Sequence, residues 1–398
     1  MSATTDNGPR VAGLFAGIGG IELGLSRAGY VPKLLCESWQ PARDVLTSQF
    51  PDVPLAGDIR ELRSLPKVDI VTAGFPCTDL SQAGRTAGIG GDQSGLVSEV
   101  FRLLRRRHPT WLVLENVRNL LHLDGGRGMH YLLTELETMK YRWAYRVVDT
   151  RFTGLPQRRQ RVIIVASRTE DPREVLLTDD AGPRDDGWYR RDAVGFYWTE
   201  GERGLGWAPD AVPTLKGGST VGIPSPPAVW LPGAEPGHRL VTPALEDAER
   251  LQGFEPGWTR AGGSGTRQGA RWKLVGNAVT STVASWFGRR LAVPCEYDPT
   301  DDNRLEAGSG WPTAAWGNAG RAWRSDVSMW PERRPYKHLG DLLNVSAAVP
   351  LSPRAAAGFL GRLERGNLRL FPEEFRVDVK GHIELTRSLS ILPSARTA

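Results

Sequence analysis

Arg10-Val-Ala-Gly-Leu-Phe-Ala-Gly-Ile-Gly-Gly-Ile-Glu-Leu-Gly-Leu-Ser-Arg-Ala28 decides the fold of this 398-residue chain. Arg10 to Phe15 reads as a buried strand, and Ala16 to Gly20 as a tight turn. Ile21, Leu25 and Ala28 then recur at helical spacing until Gly29 closes the helix. Strand, glycine turn and helix open an α/β domain of the kind that holds a nucleotide or nucleoside. Glycines let backbone approach a ligand closely, and the helix start offers free N–H groups. The same turn also serves plain strand-to-helix connections, so its neighbours decide.

They favour the ligand-binding reading. Val31-Pro-Lys-Leu-Leu-Cys-Glu37 is a second strand ending in an acid. That acid lies about 20 residues past the turn, where such domains grip a ribose hydroxyl pair. Trp39 either stacks on a purine or lids the core. Pro54-Leu-Ala-Gly-Asp-Ile59 ends a third segment, and Val68 to Ala73 is a fourth strand. Trp111-Leu-Val-Leu-Glu-Asn116 is a fifth, its apolar run stopping at Glu115, and Val162 to Ala166 is a further buried strand. Helical patterns over 97–107 and 128–139 alternate with them, which predicts a parallel, doubly wound sheet. The polar residues fall at C-terminal strand ends, where such sheets place their sites.

The fourth strand runs into Val71-Thr-Ala-Gly-Phe-Pro-Cys-Thr-Asp-Leu-Ser-Gln-Ala-Gly84. Pro76 fixes its own φ and biases Phe75 toward extended backbone, so Cys77 is presented at a defined angle. Free cysteines are usually packed hydrophobes, but one at a strand exit on the ligand edge reads as a nucleophile. Cys36 sits inside an apolar strand, and Cys295 has no comparable loop. Three distant cysteines without CxxC or Cys/His spacing argue against a disulfide framework and a structural zinc; no metal is expected.

With 40% hydrophobic and 24% charged residues, the chain has a soluble globular composition. Its formal charge of +5 fits a polyanionic partner without requiring one. No apolar run reaches the roughly 18–20 residues that span a bilayer, and the first ten residues are polar, so a cytoplasmic protein without membrane contact is expected. From Arg168 to Arg239 the texture turns loop-like, with Trp188, Trp198, Trp207 and Trp230 among glycines and prolines. These rings either build a small irregular core or contact bases. Thr242 to Phe254 is helical, Lys273 to Val279 reads as a strand-to-turn element, and a helix from Thr280 to Leu291 packs back on the N-terminal sheet. After Ala292 strand signals stop, and only Pro353 to Glu364 is helical in pattern.

Taken together, these motifs resemble the DNA (cytosine-5) methyltransferases, over residues 10–292 and in the family's order. Phe15-Ala-Gly-Ile-Gly-Gly20 is similar to its cofactor loop, Glu37-Ser-Trp39 to its ribose and adenine contacts, and Gly57-Asp-Ile59 to the next cofactor motif. Gly74-Phe-Pro-Cys77 with Ser81 resembles the nucleophile loop, Glu115-Asn-Val117 the ENV motif, and Gln157-Arg-Arg-Gln-Arg161 the QxRxR motif. Arg250-Leu-Gln-Gly-Phe254 and Gly276-Asn-Ala-Val279 complete the series. The chain departs from the pattern at Thr78 and Leu80 and at Asp247, where a glutamate usually stands, with Glu246 and Glu249 as rivals. Residues beyond 292 fall outside the pattern.

The resemblance implies a Rossmann-like methyltransferase sheet over 1–167 and 271–292, a small target-recognition domain over 168–270, and a C-terminal extension over 293–398. It implies S-adenosylmethionine as methyl donor, held by Phe15, Gly17, Gly19, Gly20, Glu37, Trp39, Asp58, Ile59, Pro76, Leu96, Asn277 and Val279. C5 of cytosine is a poor nucleophile until a thiolate adds at C6 and turns the ring into an enamine. Cys77 takes that role; Glu115 meets N3 and the exocyclic amine, and Arg159 and Arg161 hold the carbonyl, the glutamate and a phosphate. A base inside a duplex must flip out to react. Ser81, Arg85, Gln157 and Arg239 are the expected DNA contacts, and the loop from Ser81 to Ser94 the expected moving lid.

The expected partner is double-stranded DNA, for a monomer that serves as the modifying component of a host-defence system, with other defence proteins as possible companions. An RNA methyltransferase of the same fold and an inactive DNA-binding relative are the rivals. An NAD enzyme is disfavoured, because nothing in it explains Pro76-Cys77 together with the Gln157–Arg161 run. Arg321, Arg324, Arg333, Arg334 and Lys337 around Trp323 and Trp330 either touch DNA or a partner or belong to a packed extension.

Overall fold

A computed structural model describes residues 8–76, 95–197, 206–217, 226–263, 268–306, 308–365 and 371–391. The opening unit is as the sequence predicts: β1 (Arg10–Leu14), a turn, and α1 (Gly20–Arg27). There follow β2 (Val31–Cys36), α2 (Gln40–Gln49), β3 (Leu55–Ala56), β4 (Ile70–Ala73), α3 (Leu96–Arg106), β5 (Trp111–Val117) and α4 (Arg127–Thr138). β6 (Arg142–Asp149), β7 (Gln157–Arg158) and β8 (Gln160–Ser167) close this half.

Strands β1 to β5 pair in parallel, in the order β5-β4-β1-β2-β3. Strand alternation sends Ala12, Leu14, Val71 and Ala73 to one face, packed with α3 and α4, and Val11, Ile70 and Val113 to the other, packed with α1. A fully parallel sheet does not survive beyond β5. β8 lies antiparallel to both β5 and β6, so the sheet is mixed. Only residues 150–159 separate β6 from β8, too few for the crossover of a dozen or more residues that a parallel pair needs.

The sequence also misreads residues 273–279. They belong to α6 (Gln268–Asn277), which follows α5 (Leu245–Leu251) and precedes α7 (Ser281–Ala292). Val275 packs into one core cluster and Leu274 into another, so neighbouring residues face opposite sides and imitate the alternation of a strand. The predicted return of the last helix holds. α7 lies on α1 so closely that a Cβ on Gly24 would come within 2.4 Å of the Ala284 Cβ.

Residues after 293 carry strands the sequence did not signal. β14 (Asn303–Arg304), β15 (Ala314–Asn318) and β16 (Arg321–Arg324) extend the large sheet, with β15 paired to β6. Ala319 and Gly320 both take positive φ (51° and 77°), as a tight two-residue hairpin requires, and Trp316 stacks on Trp323 at 4.2 Å. An alanine-rich, glycine-interrupted strand shows no period-two signal, which is why this hairpin was illegible.

A second sheet holds β9 (Val194–Tyr197), β10 (Gly206–Pro209), β12 (Ala228–Trp230), β13 (Leu240–Thr242) and β17 (Val349–Pro350), while β11 (Val212–Pro213) pairs with β7. One face is covered by α5 and α6; the other by α8 (Pro353–Arg365) and α9 (Glu373–Ile391), through Phe359 and Phe375. The described residues between 293 and 391 are thus divided between the two sheets. Trp207 and Trp230 both lie against Phe375, so they are core rather than base-contacting rings; Trp198 lies outside the described residues. Trp330 is likewise buried, and Arg334 pairs with Glu332, so this part of the extension is packed.

Glu22, in the first turn of α1, is 1% exposed, and its carboxyl fills the space over Gly13. Thr72 Oγ1 donates to Oε1 at 3.1 Å, while Oε2 has no partner among the described residues. Burial pushes its pKa up to about 7 from an ordinary 4.5. The folded state therefore holds a proton that the unfolded chain releases first. Stability should fall by about 3 kcal/mol as pH rises from 4.5 to 7, and Glu22→Gln should flatten that slope in urea unfolding. An unchanged slope in the variant would show that Glu22 is not its source.

Candidate active site

The ends of β1, β2, β4 and β5 open into a cavity of about 540 Å³. Phe15 leaves β1 with φ 54°, a left-handed conformation that costs a side-chain-bearing residue about 1–2 kcal/mol. Gly17 (φ 57°) and Gly19 (φ 80°) continue the turn at no such cost. The bend aims the Gly17 N–H at Glu37 Oε2 (2.9 Å), and the Trp39 N–H donates to Oε1 (2.8 Å). Two backbone donors thus orient the Glu37 carboxylate at the cavity wall, with lone pairs left for a ligand's hydroxyls. The Trp39 ring carries Lys273 Nζ at 4.7 Å from its centroid. Asp58 is gripped by Arg60 through Nε and Nη2, which holds its carboxyl below the usual carboxylate range. Ile59, Pro76, Leu96 and Asn277 complete this lining among the expected residues.

A second group of side chains lines the same cavity. Arg161 Nε lies 2.9 Å from Glu115 Oε1, and the two side chains are 14% and 9% exposed. Burial pulls the Arg161 guanidinium below its ordinary pKa, and Glu115 opposes that shift. Asn116 Nδ2 donates to the Phe75 carbonyl at 3.0 Å, while its Oδ1 accepts from the Val117 N–H at 2.8 Å. Asn116 therefore pins the backbone two residues ahead of Cys77. Cys77, Ser81 and Arg85, and the loop to Ser94, lie outside the described residues.

Several expected site residues sit elsewhere. Gly19 and Gly20 are not in the lining. A Cβ on Gly19 would meet the Phe50 ring at 2.4 Å, and one on Gly20 would meet the Val279 carbonyl oxygen at 2.1 Å. Their glycines serve close packing, and Val279 stands behind the wall. Gln157 is fully buried, donates to the Leu251 carbonyl and the Gln252 side chain, and accepts from the Leu215 N–H, so it has no access to DNA. Arg239 is spent on Asp378 of α9 and the Ala234 carbonyl, away from the cavity.

Arg159 borders the cavity but is 1% exposed; its Nη atoms are committed, while its buried Nε has no partner among the described residues. The Nη atoms reach the carbonyls of Leu215 (3.0 Å), Gly276 (3.2 Å) and Ala278 (2.7 Å). Through its Nη atoms this guanidinium acts as a structural clamp at the cavity wall. It joins the kink between β7 and β8 to the end of α6 and to a segment that sequence reasoning passed over, Thr214-Leu-Lys-Gly217. A Cβ on Gly276 would stand 2.1 Å from the Lys216 carbonyl carbon, and one on Gly217 2.1 Å from Asn277 Oδ1. Two glycines, 59 residues apart in sequence, were the available signal, legible only once the contact is known.

Comparison with known proteins fits this geometry. A family model described as C-5 cytosine-specific DNA methylase matches residues 10–186. Type II methyltransferase M2.BsuMI of Bacillus subtilis (strain 168) is 44% identical over 378 residues, covering 92% of this chain and 96% of that one. The chain belongs to the C-5 cytosine-specific DNA methylase family. It is a DNA (cytosine-5) methyltransferase. M.BanI of Aneurinibacillus aneurinilyticus is 34% identical to this methylase over 190 residues, 46% of this chain and 44% of that one. The S. pombe Dnmt2 methyltransferase structure superposes with a TM-score of 0.54 at 14% identity, over 72% of this chain and 99% of that one, a likeness of fold alone.

Replacing Arg159 with leucine would leave the buried carbonyls of Leu215 and Gly276 without their donor, at about 1–3 kcal/mol each, and Ala278 with only the longer bond from Gln252 at 3.4 Å. Arg159→Leu should lower stability in urea by several kcal/mol, and Arg159→Lys should recover part of it. A stable Arg159→Leu enzyme would contradict the clamp.

Proposed function

We propose that this methylase transfers a methyl group from S-adenosylmethionine to C5 of a cytosine flipped out of a specific duplex sequence, through a transient bond between Cys77 Sγ and C6. One observation carries the reading: the Glu37–Trp39 cradle and the Glu115–Arg161 pair line a single cavity whose rim includes Pro76, the residue before Cys77. The residues fit the methyl donor. Glu37 presents acceptors suited to a ribose diol, Trp39 offers a ring face for adenine, and Phe15 and Gly17 bring backbone close. When bound, S-adenosylmethionine supplies an electrophilic methyl group on sulfur.

The chain's own residues prepare the base for that group. The Cys77 thiolate adds to C6, and the negative charge moves toward N3, where Glu115 meets it as a hydrogen-bond donor or proton source. Arg161 holds the glutamate in position by the ion pair and screens its charge. C5 then takes the methyl, and loss of the C5 proton expels the thiolate and restores the ring. Hydrogen bonding of Glu115 to the N3 and N4 edge favours cytosine over thymine, because the wrong base leaves buried groups unpaired. Residues 1–167 and 271–292 serve this chemistry, and 168–270 read the DNA. The 44% identity to a Type II methyltransferase supports the modification role in a bacterial defence system, acting in the cytoplasm.

Cys77→Ser should abolish methyl transfer while leaving S-adenosylmethionine binding within about twofold, measured by calorimetry beside a radiolabel assay. Glu115→Gln should reduce turnover by about 10²–10⁴-fold with cofactor binding retained. Bisulfite sequencing of a plasmid from expressing cells should reveal methylated cytosines in one fixed context. Full activity of Cys77→Ser would refute the covalent route, and an unmodified plasmid exposed to folded enzyme would refute the substrate.

A further inference from the structure

Next to the clamp, β7 carries a second guanidinium with a different fate. Arg158 is half-buried in a strand that pairs with β11. Among the described residues its side chain forms no hydrogen bond and no ion pair. Its charged neighbours are Arg151, which repels it, and Asp149, which is already engaged by Arg151 through Nε–Oδ1 at 3.0 Å and Nη2–Oδ2 at 3.1 Å. Tyr197, at the end of β9, is also beside it. A guanidinium that has lost part of its water and gained no acceptor stands ready for an anion.

A second cation reaches the same ring. Lys216, exposed, places Nζ at 4.7 Å from the Tyr197 centroid. The next residue, Gly217, is pressed against Asn277, which lines the cavity. Arg158, for its part, is three residues from Arg161, the partner of Glu115. Three residues of chain reach at most about 10 Å. Duplex DNA carries one charge per about 3.4 Å along each strand, so that distance corresponds to about three nucleotides.

We propose that Arg158 and Lys216, both beside Tyr197, form a clasp for a backbone phosphodiester of the substrate DNA, within about three nucleotides of the reacting cytosine. The clasp rests on the reading of duplex DNA as substrate. It gives no base specificity, because a phosphate contact fixes register and leaves sequence unread. Arg158, planar and desolvated, grips two phosphate oxygens, and Lys216 acts as a point charge. Arg158 is thereby distinguished from its neighbours in the Gln157–Arg161 run. Arg159 is committed to main-chain carbonyls and Arg161 to Glu115, which leaves Arg158 for the polymer.

The test uses the full-length enzyme, unmodified plasmid DNA and labelled S-adenosylmethionine, with DNA KM and kcat measured between about 50 and 200 mM salt. Arg158→Ala and Lys216→Ala should each raise the KM for DNA several-fold at the higher salt. Each should also reduce the slope of log KM against log salt by about 1, and the double variant should reduce it by about 2. S-adenosylmethionine affinity and kcat at saturating DNA should stay at the wild-type level, and Arg158→Lys should keep most of the salt slope. Variants that methylate with unchanged salt slope would overturn the clasp, as would an equal loss of cofactor affinity. A folded wild-type enzyme that leaves the plasmid unmethylated would remove the substrate reading, and the clasp with it.

Discussion

A guanidinium cut off from water must find acceptors inside the protein, and much of this architecture is arranged around one that does. Arg159 gathers carbonyls from two distant segments, the stretch after β11 at Leu215 and the end of α6 at Gly276 and Ala278. Burial and the nearby Arg161 both disfavour its charge, so these contacts cannot be given up cheaply. Gly276 then lets its backbone meet that of Lys216, and Gly217 makes room for the Asn277 side chain. The segment around Leu215 and the part that shapes the cavity wall are therefore packed as one body at this point.

That body frames a division of labour among neighbouring arginines. Within five residues, Gln157 and Arg159 hold the scaffold, Arg161 turns to Glu115 in the cavity, and Arg158 stays half-buried near Tyr197, Arg151 and Asp149. Simple strand alternation places Gln157, Arg159 and Arg161 together and implies one shared task. The backbone breaks that pattern, since β7 ends at Arg158 and β8 starts at Gln160. Residues that alternation would make equivalent consequently do different work.

The nucleotide-binding half was largely legible in the sequence because strand, glycine turn and helix are local signals. Glu37, Trp39, Asp58 and Glu115 stand at the strand ends expected, and all line the cavity. What was illegible depended on long-range contacts. Gly20 reads as a ligand glycine, yet its missing side chain is required by the Val279 carbonyl, 259 residues away in sequence. α6 imitates a strand because its neighbouring residues serve two cores. The β15–β16 hairpin has too little hydrophobic contrast to announce itself, and Glu22 gives no sign in sequence that its carboxyl will be buried.

The central claim is that the cavity presents a cytosine to Cys77 for covalent attack. Its most direct measurement replaces the target cytosine of the methylated context with 5-fluorocytosine. Fluorine at C5 cannot leave as the proton does, so the bond to sulfur should persist after methyl transfer. Mass spectrometry should then find one oligonucleotide joined to each protein chain, at the peptide containing Cys77, and only when S-adenosylmethionine is present. Methylated product released without any adduct, or an adduct on another residue, would contradict the account.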